Sequence, residues 1–499
     1  MSRHDFPTVN EKSCIPVPTQ LRSTLSSRLG VLTLACFVLA ALSPSVRGSD
    51  PPDILFIAID DLNDWVGVLG GHPQARTPRI DELAERGMLF TNAHAPATLC
   101  NASRTALLTG LRPSSSGVYE NNADWRRLEV FRNISTLPGF FRDRGYETIG
   151  AGKIFHAHTF YPEGFSGYND PDAWSSFFPS ADRQLPDEVA PSDRPANRNP
   201  FTNNFDWYAL TESADQMGDT SVATWISDQL ARTNSQPRFV AAGIYRPHLP
   251  WYTPREHFDA YPLGTIELPE TLANDLDDVP EIATLPFLEI TAEPPMALHR
   301  WMVAEDKWRQ GVRAYLASVS YADAEVGRIL DALDASGRGN ETIIVLFSDH
   351  GFHLGEKQRW RKQTLWEEST RVPLIFVVPG ITAPGSRASQ PVSLMDIYPT
   401  LAELAGLPIP EHVEGKSLLP LLQDPAVSWD SAAITTSGFR NHSVRTGRYR
   451  YTRYSDRSEE LYDLDADPHE WNNLIGEAGA SSVRDALAAW LPTSNAPPH

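Results

Sequence analysis

Asp53-Ile54-Leu55-Phe56-Ile57-Ala58-Ile59-Asp60-Asp61 is the stretch on which the fold turns. It is a short apolar run rich in β-branched side chains, which predicts a strand buried on both faces, and it ends abruptly in two carboxylates. Runs of the same kind recur at 148–151, 239–245, 342–347 and 374–378. Helical periodicity fills the intervals at 79–88, 103–108, 310–333 and 394–405. Strands that alternate with helices predict an α/β fold, a mainly parallel sheet flanked by helices.

The polar residues fall where such a sheet places its ligands. Asp60-Asp61 follows the first strand, Gly152-Lys153-Ile154-Phe155-His156 the second, Arg246-Pro247-His248 the third and Ser348-Asp349-His350-Gly351 the fourth. The crevice beyond the carboxyl ends of parallel strands is the usual ligand site, so four distant segments are expected on one rim.

Asp60 and Asp61 are neighbours on a strand and would point to opposite faces, so they address one target only if the chain leaves the strand between them. Taken alone, such a pair is more often a solvated loop or a helix cap than a site. Joined by Asp349 it concentrates three carboxylates, an arrangement that calls for a cation between them. Oxygen ligands favour a hard divalent ion such as calcium or magnesium, and the His350 imidazole excludes neither.

The chain has 499 residues and a net charge of -20, with 41% hydrophobic and 21% charged residues. Those proportions predict a globular protein with an ordinary core. The acidic balance argues against nucleic acid as a partner, which would require a basic face. An anionic ligand would have to be held by a few placed cations.

Residues 1–48 read as a signal peptide: Arg22 and Arg28 precede the apolar run 31–42, and small residues and helix breakers follow. The run is too short to span a bilayer of about 30 Å, so export to the periplasm or medium is expected, without stable membrane association. Cys14 and Cys36 would leave with the leader, and Cys100 would then be the one cysteine remaining. A solitary cysteine in an exported protein makes no internal disulfide; it is a packed thiol, an intermolecular link or a reagent. The catalytic α/β domain is expected over 49–425. Alternating strands around Gly447 and at 460–464 predict a small antiparallel sheet in a subdomain over 426–499. The Pro- and Asp-rich segment 161–204 reads as a long surface insertion.

The run Leu99-Cys100-Asn101-Ala102-Ser103-Arg104, with Thr109-Gly110 behind it, resembles the signature of the type I sulfatases, whose cysteine is oxidised to formylglycine. The resemblance extends from about Pro52 to the carboxyl end. Within that family the motifs at 152–156, 247–250, 348–356 and 372–376 are most similar to the iduronate-2-sulfatase branch. Ala102 stands where many members carry proline.

The resemblance implies an alkaline-phosphatase-like fold and a sulfuric ester hydrolase acting on a sulfated carbohydrate, a uronate-2-sulfate or a related polysaccharide unit. It also implies a formylglycine-generating maturation enzyme as a partner. Asp60, Asp61, Asp349 and His350 match the positions that hold calcium, with the formylglycine at 100 completing the shell. Arg104 matches the arginine that steadies the aldehyde hydrate. Lys153 and His156 match groups that bind the sulfate and the hydrate, His248 a leaving-group acid, and Lys362 a sulfate-binding lysine. One hydroxyl of the hydrate would attack sulfur, and deprotonation of the other would expel sulfate. Two rivals stand beside this reading: a formylglycine-dependent phosphonate or phosphodiester hydrolase, and a catalytically silent carbohydrate-binding protein of the same fold. Lys362 also lies in a polar run, 357–362, that reads as a solvated face.

Overall fold

The first strand, Asp53–Ile59, lies inside an eight-stranded sheet. In the computed structural model it pairs in parallel with Thr342–Ser348 on one side and with Arg238–Ile244 on the other. Glu147–Gly152 and then Ser176–Phe178 extend the parallel set beyond Arg238–Ile244. At the opposite edge Leu374–Val377 runs antiparallel to Thr342–Ser348, and Met88–Phe90 and Ser386–Ala388 complete the sheet. The structure describes residues 51–159, 166–179, 193–211, 213–285 and 296–499. The expected signal peptide, and 161–165 and 180–192 of the expected surface insertion, therefore lie outside the described residues.

Alternation along the first strand explains why it is central. Leu55, Ile57 and Ile59 face one hydrophobic cluster, and Ile54, Phe56 and Ala58 face another. The first cluster is closed by Pro78–Arg86, Gly218–Ala231 and the long helix Trp308–Ala335. The second is closed by Cys100–Thr109, Leu137–Arg142 and Ile397–Leu404. Each fully buried Ile, Leu or Phe contributes about 1.5–3 kcal/mol of burial free energy, which no solvated arrangement of this strand would recover.

Register brings the strand ends level. Ile59 is opposite Ser348 and Ile244, and Gly152 is opposite Gly243. The ladder continues one residue further: the amides of Asp60, Asp349 and Lys153 donate to the carbonyls of Ile244, Ile59 and Gly243. Asp60, Asp349 and Lys153 thus leave the sheet side by side. Gly243 is required there, because a Cβ on it would sit 2.3 Å from the Lys153 carbonyl carbon.

Two sequence expectations change. The helix at the cysteine begins at Cys100 rather than near Ser103, so residue 100 is its first residue. Within the segment read as an insertion, Ser176–Phe178 is an edge strand of the main sheet. Three residues are too few to show a period of two. The small carboxyl-terminal sheet is present, with Ala433–Thr436, His442–Arg445, Tyr449–Arg453 and Glu459–Asp463 pairing consecutively and antiparallel. It joins the main body where Thr436 N donates to the Pro96 carbonyl, 2.9 Å, and Thr435 Oγ1 to the Ala95 carbonyl, 2.6 Å. No helix among the described residues is long and apolar enough to cross a membrane.

Candidate active site

Asp61 has φ +61°, the left-handed region that few non-glycine residues adopt. The sharp turn takes the chain off the strand between the two aspartates and lets both carboxylates face one point, as the sequence requires. Tyr315 secures the turn: its hydroxyl donates to the Asp61 carbonyl, 2.7 Å, and accepts from Asn63 N, 3.0 Å. Ser348 adds a second tie by accepting from Leu62 N at 2.9 Å.

Cys100 is fully buried at the amino end of its helix, where the helix dipole favours an anion. Its Sγ lies 3.3 Å from His350 Nε2, 3.1 Å from Lys362 Nζ and 3.9 Å from Lys153 Nζ. His156 hydrogen-bonds to it as well. Burial alone would raise the thiol, but Lys153, Lys362 and His350 with the His156 hydrogen bond overcome it and hold the group well below its ordinary range. The pocket is therefore built to stabilise negative charge on whatever atom residue 100 presents.

Arg104, one turn along the helix, is also buried. Its Nε donates to Asp349 Oδ2 at 2.7 Å, one terminal nitrogen reaches Asp60 Oδ1 at 3.3 Å, and the other donates to the carbonyls of Lys153 and Ile154. Lys153 in turn pairs with Asp60, and Lys362 with Asp61 Oδ1 at 2.5 Å. Burial opposes charge on both lysines, yet Asp60 and Asp61 respectively outweigh it and keep the ammonium groups protonated. Two carboxylates share one guanidinium, so they separate. Burial and the Cys100 charge raise Asp60, but Lys153, His248 and Arg104 bring it well below the carboxylate range, while burial pushes Asp349 up to about 7 against the pull of Arg104. His350 loses charge to burial but is raised to about 9, chiefly by Asp349.

Ligand atoms of Asp60, Asp61, Cys100 and His350 all lie within 4.8 Å of one another. Asp61 Oδ2 is buried and has no hydrogen-bond partner, the signature of a donor left for a cation. Oxygen, nitrogen and an exchangeable atom at position 100 form a donor set that fits a divalent metal. Asp349 stands beside this set: its Oδ1 accepts from Asp61 N, 3.2 Å, and its Oδ2 from Arg104. His248 stands at the edge, its side chain 15% exposed, with Nε2 3.9 Å from Asp61 Oδ2 and Nδ1 2.6 Å from the Leu249 carbonyl.

All ten residues singled out in the sequence thus lie in one cluster. Tyr315 and Asn63 were not singled out, and Ser348 was named only as part of the run 348–351, with no role. Tyr315 sits among core residues in a helical pattern, and nothing in its sequence neighbourhood shows that its hydroxyl reaches the Asp60-Asp61 turn.

A mainly parallel sheet with acids, lysines and a buried helix-borne cysteine at its carboxyl rim suits a hydrolase of anionic esters. Residues 52–407 match the family described as Sulfatase, and residues 355–496 match the one described as N-sulphoglucosamine sulphohydrolase, C-terminal. The chain belongs to the type I sulfatase family and is a sulfuric ester hydrolase. It is 39% identical to a sulfatase of Formosa agariphila, over 90% of this chain and 87% of the relative. With human iduronate 2-sulfatase it shares 31% identity over 92% of this chain and 97% of that protein. Its alkaline-phosphatase-like fold is shared with the crystal structure of the phosphonate monoester hydrolase of Agrobacterium radiobacter, with a TM-score of 0.71, 22% identity and coverage of 88% of this chain and 94% of that one.

Proposed function

We propose that this sulfatase removes sulfate from a sulfated carbohydrate, a uronate-2-sulfate or a related polysaccharide unit, with residue 100 acting as formylglycine. The observation that carries the reading is the position of the Cys100 side chain, buried at a helix amino end among Lys153, Lys362, His350 and His156. The similarity to human iduronate 2-sulfatase over nearly the whole chain supports the carbohydrate and the 2-sulfate. Sγ stands where an oxygen of the aldehyde hydrate would lie.

Asp60, Asp61, His350 and residue 100 would hold the metal, calcium by the oxygen-rich set, with Asp349 at its side. When bound there, the metal would supply Lewis acidity beside residue 100. Lys153 and Lys362 hold the sulfuryl oxygens as negative charge develops on them, and His156 orients the residue-100 side chain. Arg104 locks Asp60 and Asp349 in place. The His248 Nδ1 hydrogen bond to the Leu249 carbonyl fixes the ring so that a protonated Nε2 faces the site and can donate to the leaving alkoxide.

The remaining parts of the reading belong together. Residues 1–48 are a signal peptide directing the chain to the periplasm or the medium, 49–425 form the catalytic domain and 426–499 the subdomain. A maturation enzyme oxidises Cys100 after synthesis.

Mass spectrometry of the peptide carrying residue 100, after co-expression with a formylglycine-generating enzyme, tests the chemistry, and the expected mass is that of the aldehyde or its hydrate. Turnover on a panel of defined sulfated oligosaccharides and phosphodiesters tests the substrate. Faster turnover of phosphodiesters would replace this reading, and persistence of the thiol with no turnover would mark a silent binding protein.

A further inference from the structure

We propose that Lys357 is a positioning residue: it pins the tip of a hairpin and thereby sets the Lys362 ammonium against residue 100. The inference rests on the sulfatase reading, in which Lys362 holds sulfate.

The hairpin is short. His353–Leu354 pairs antiparallel with Trp360–Arg361, His353 opposite Arg361 and Leu354 opposite Trp360, and Lys362 is the next residue. Its course is unusual: Gly355, Lys357, Gln358, Arg361 and Gln363 all have positive φ, from +52° to +125°. Four of these carry a Cβ, and L-residues populate this region sparsely, so the surroundings must impose the path. Three attachments do so. Trp308 Nε1 donates to the Leu354 carbonyl at 2.7 Å, and its ring fills the space a Cβ on Gly355 would enter, 2.4 Å away. Gln363 N donates to the Thr98 carbonyl at 3.2 Å, next to the Cys100 helix. At the tip, Lys357 Nζ donates to Asp275 Oδ1 at 2.6 Å and to the Glu470 carbonyl, with the Trp366 and Tyr462 rings 5.6 Å and 5.5 Å away.

Lys357 and Asp275 are each only 2% exposed. A buried ion pair adds little net stability, because desolvation offsets most of the attraction. Its clearest effect is geometric: it fixes the tip against one segment of the catalytic domain and against the carboxyl-terminal region. Five residues further on, Lys362 Nζ meets Asp61 Oδ1 at 2.5 Å and Cys100 Sγ at 3.1 Å. Freeing the tip would let the second strand shift and carry Lys362 with it.

A double-mutant cycle separates positioning from mere structural support. Wild type, Lys357→Met, Lys362→Ala and the double variant are compared for kcat/KM on a sulfate ester and for binding of inorganic sulfate by calorimetry. We expect Lys357→Met to lower both on the order of 10-fold or more. In the Lys362→Ala background the same substitution should change neither by more than about twofold. Lys357→Arg should recover part of the loss. If Lys357→Met does not fold, Asp275→Asn enters the cycle in its place with the same expectation. Losses that multiply across the cycle, or full sulfate binding in Lys357→Met, would overturn the proposal. Wild type that binds sulfate without turnover would defeat the sulfatase reading while the binding cycle still decides the role of Lys357. Wild type that binds no sulfate would overturn both.

Discussion

Arg104 and Asp349 stand 245 residues apart in the chain and meet in a fully buried pair, Nε to Oδ2 at 2.7 Å. The contact fastens the Cys100–Thr109 helix, one turn in from its start, to the carboxyl end of the Thr342–Ser348 strand. Beside it, Asp61 Oδ2 is a carboxylate oxygen left without a hydrogen-bond partner.

Replacing the residue-100 side chain removes the nucleophile and little else. Cys100→Ala should lower turnover on the order of 10⁴-fold or more, with a melting temperature close to that of the matured parent. Retained turnover in that variant would refute the covalent route.

Removal of divalent metal by chelation should abolish activity and lower thermal stability, because the free energy of metal binding to the folded chain is then lost. Restoring calcium at 100 times its dissociation constant should return about 2.7 kcal/mol of stability. Parallel titrations with calcium and magnesium, read by thermal shift, decide which ion restores it at lower concentration. A chelated enzyme of undiminished activity would remove the metal from the scheme.

Tyr315→Phe deletes the hydroxyl that ties Asp61 O to Asn63 N. Two buried backbone groups then lose a partner, a cost of about 1–3 kcal/mol each. The calcium concentration for half-maximal activity should rise about 10- to 100-fold, with most of kcat recovered at saturation. An unchanged metal requirement would show that the Asp61 turn holds without it.

Asp323 supplies a pH-dependent stability term away from the site. Burial pushes its carboxyl up to about 7, although the amides of Ile80 and Arg79 donate to it. Between pH 4 and 7 the folded chain therefore binds a proton that the unfolded chain has released, and stability falls as pH rises through that window. The full span amounts to about 4 kcal/mol at most. Urea unfolding at pH 5 and pH 7 should show a smaller drop in Asp323→Asn than in the parent, and equal drops would assign the effect elsewhere.

Five strands of the main sheet were legible because residues buried on both faces must be apolar along their whole length, and short runs such as 53–59 and 342–348 have few other uses, whereas Met88–Phe90 and Ser386–Ala388 were not read as strands. The edge strand Ser176–Phe178 was not legible, since three residues at a sheet margin impose no pattern. The helix start at Cys100 was missed because no capping side chain marks it. Leu99 precedes it, and Asn121 Oδ1, twenty residues away, accepts from Asn101 N instead.

By itself the sequence determined the alternation of strand and helix, the polar residues at each strand end and the signature around Cys100, all of which are local patterns of residue type. Only the tertiary structure decided that Asp61 turns through φ +61° to share a target with Asp60, and that Lys362, 262 residues from Cys100, comes within 3.1 Å of its sulfur. Those outcomes depend on register across the sheet and on contacts such as Tyr315 with Asp61 and Lys357 with Asp275, which join segments whose sequences carry no mark of one another.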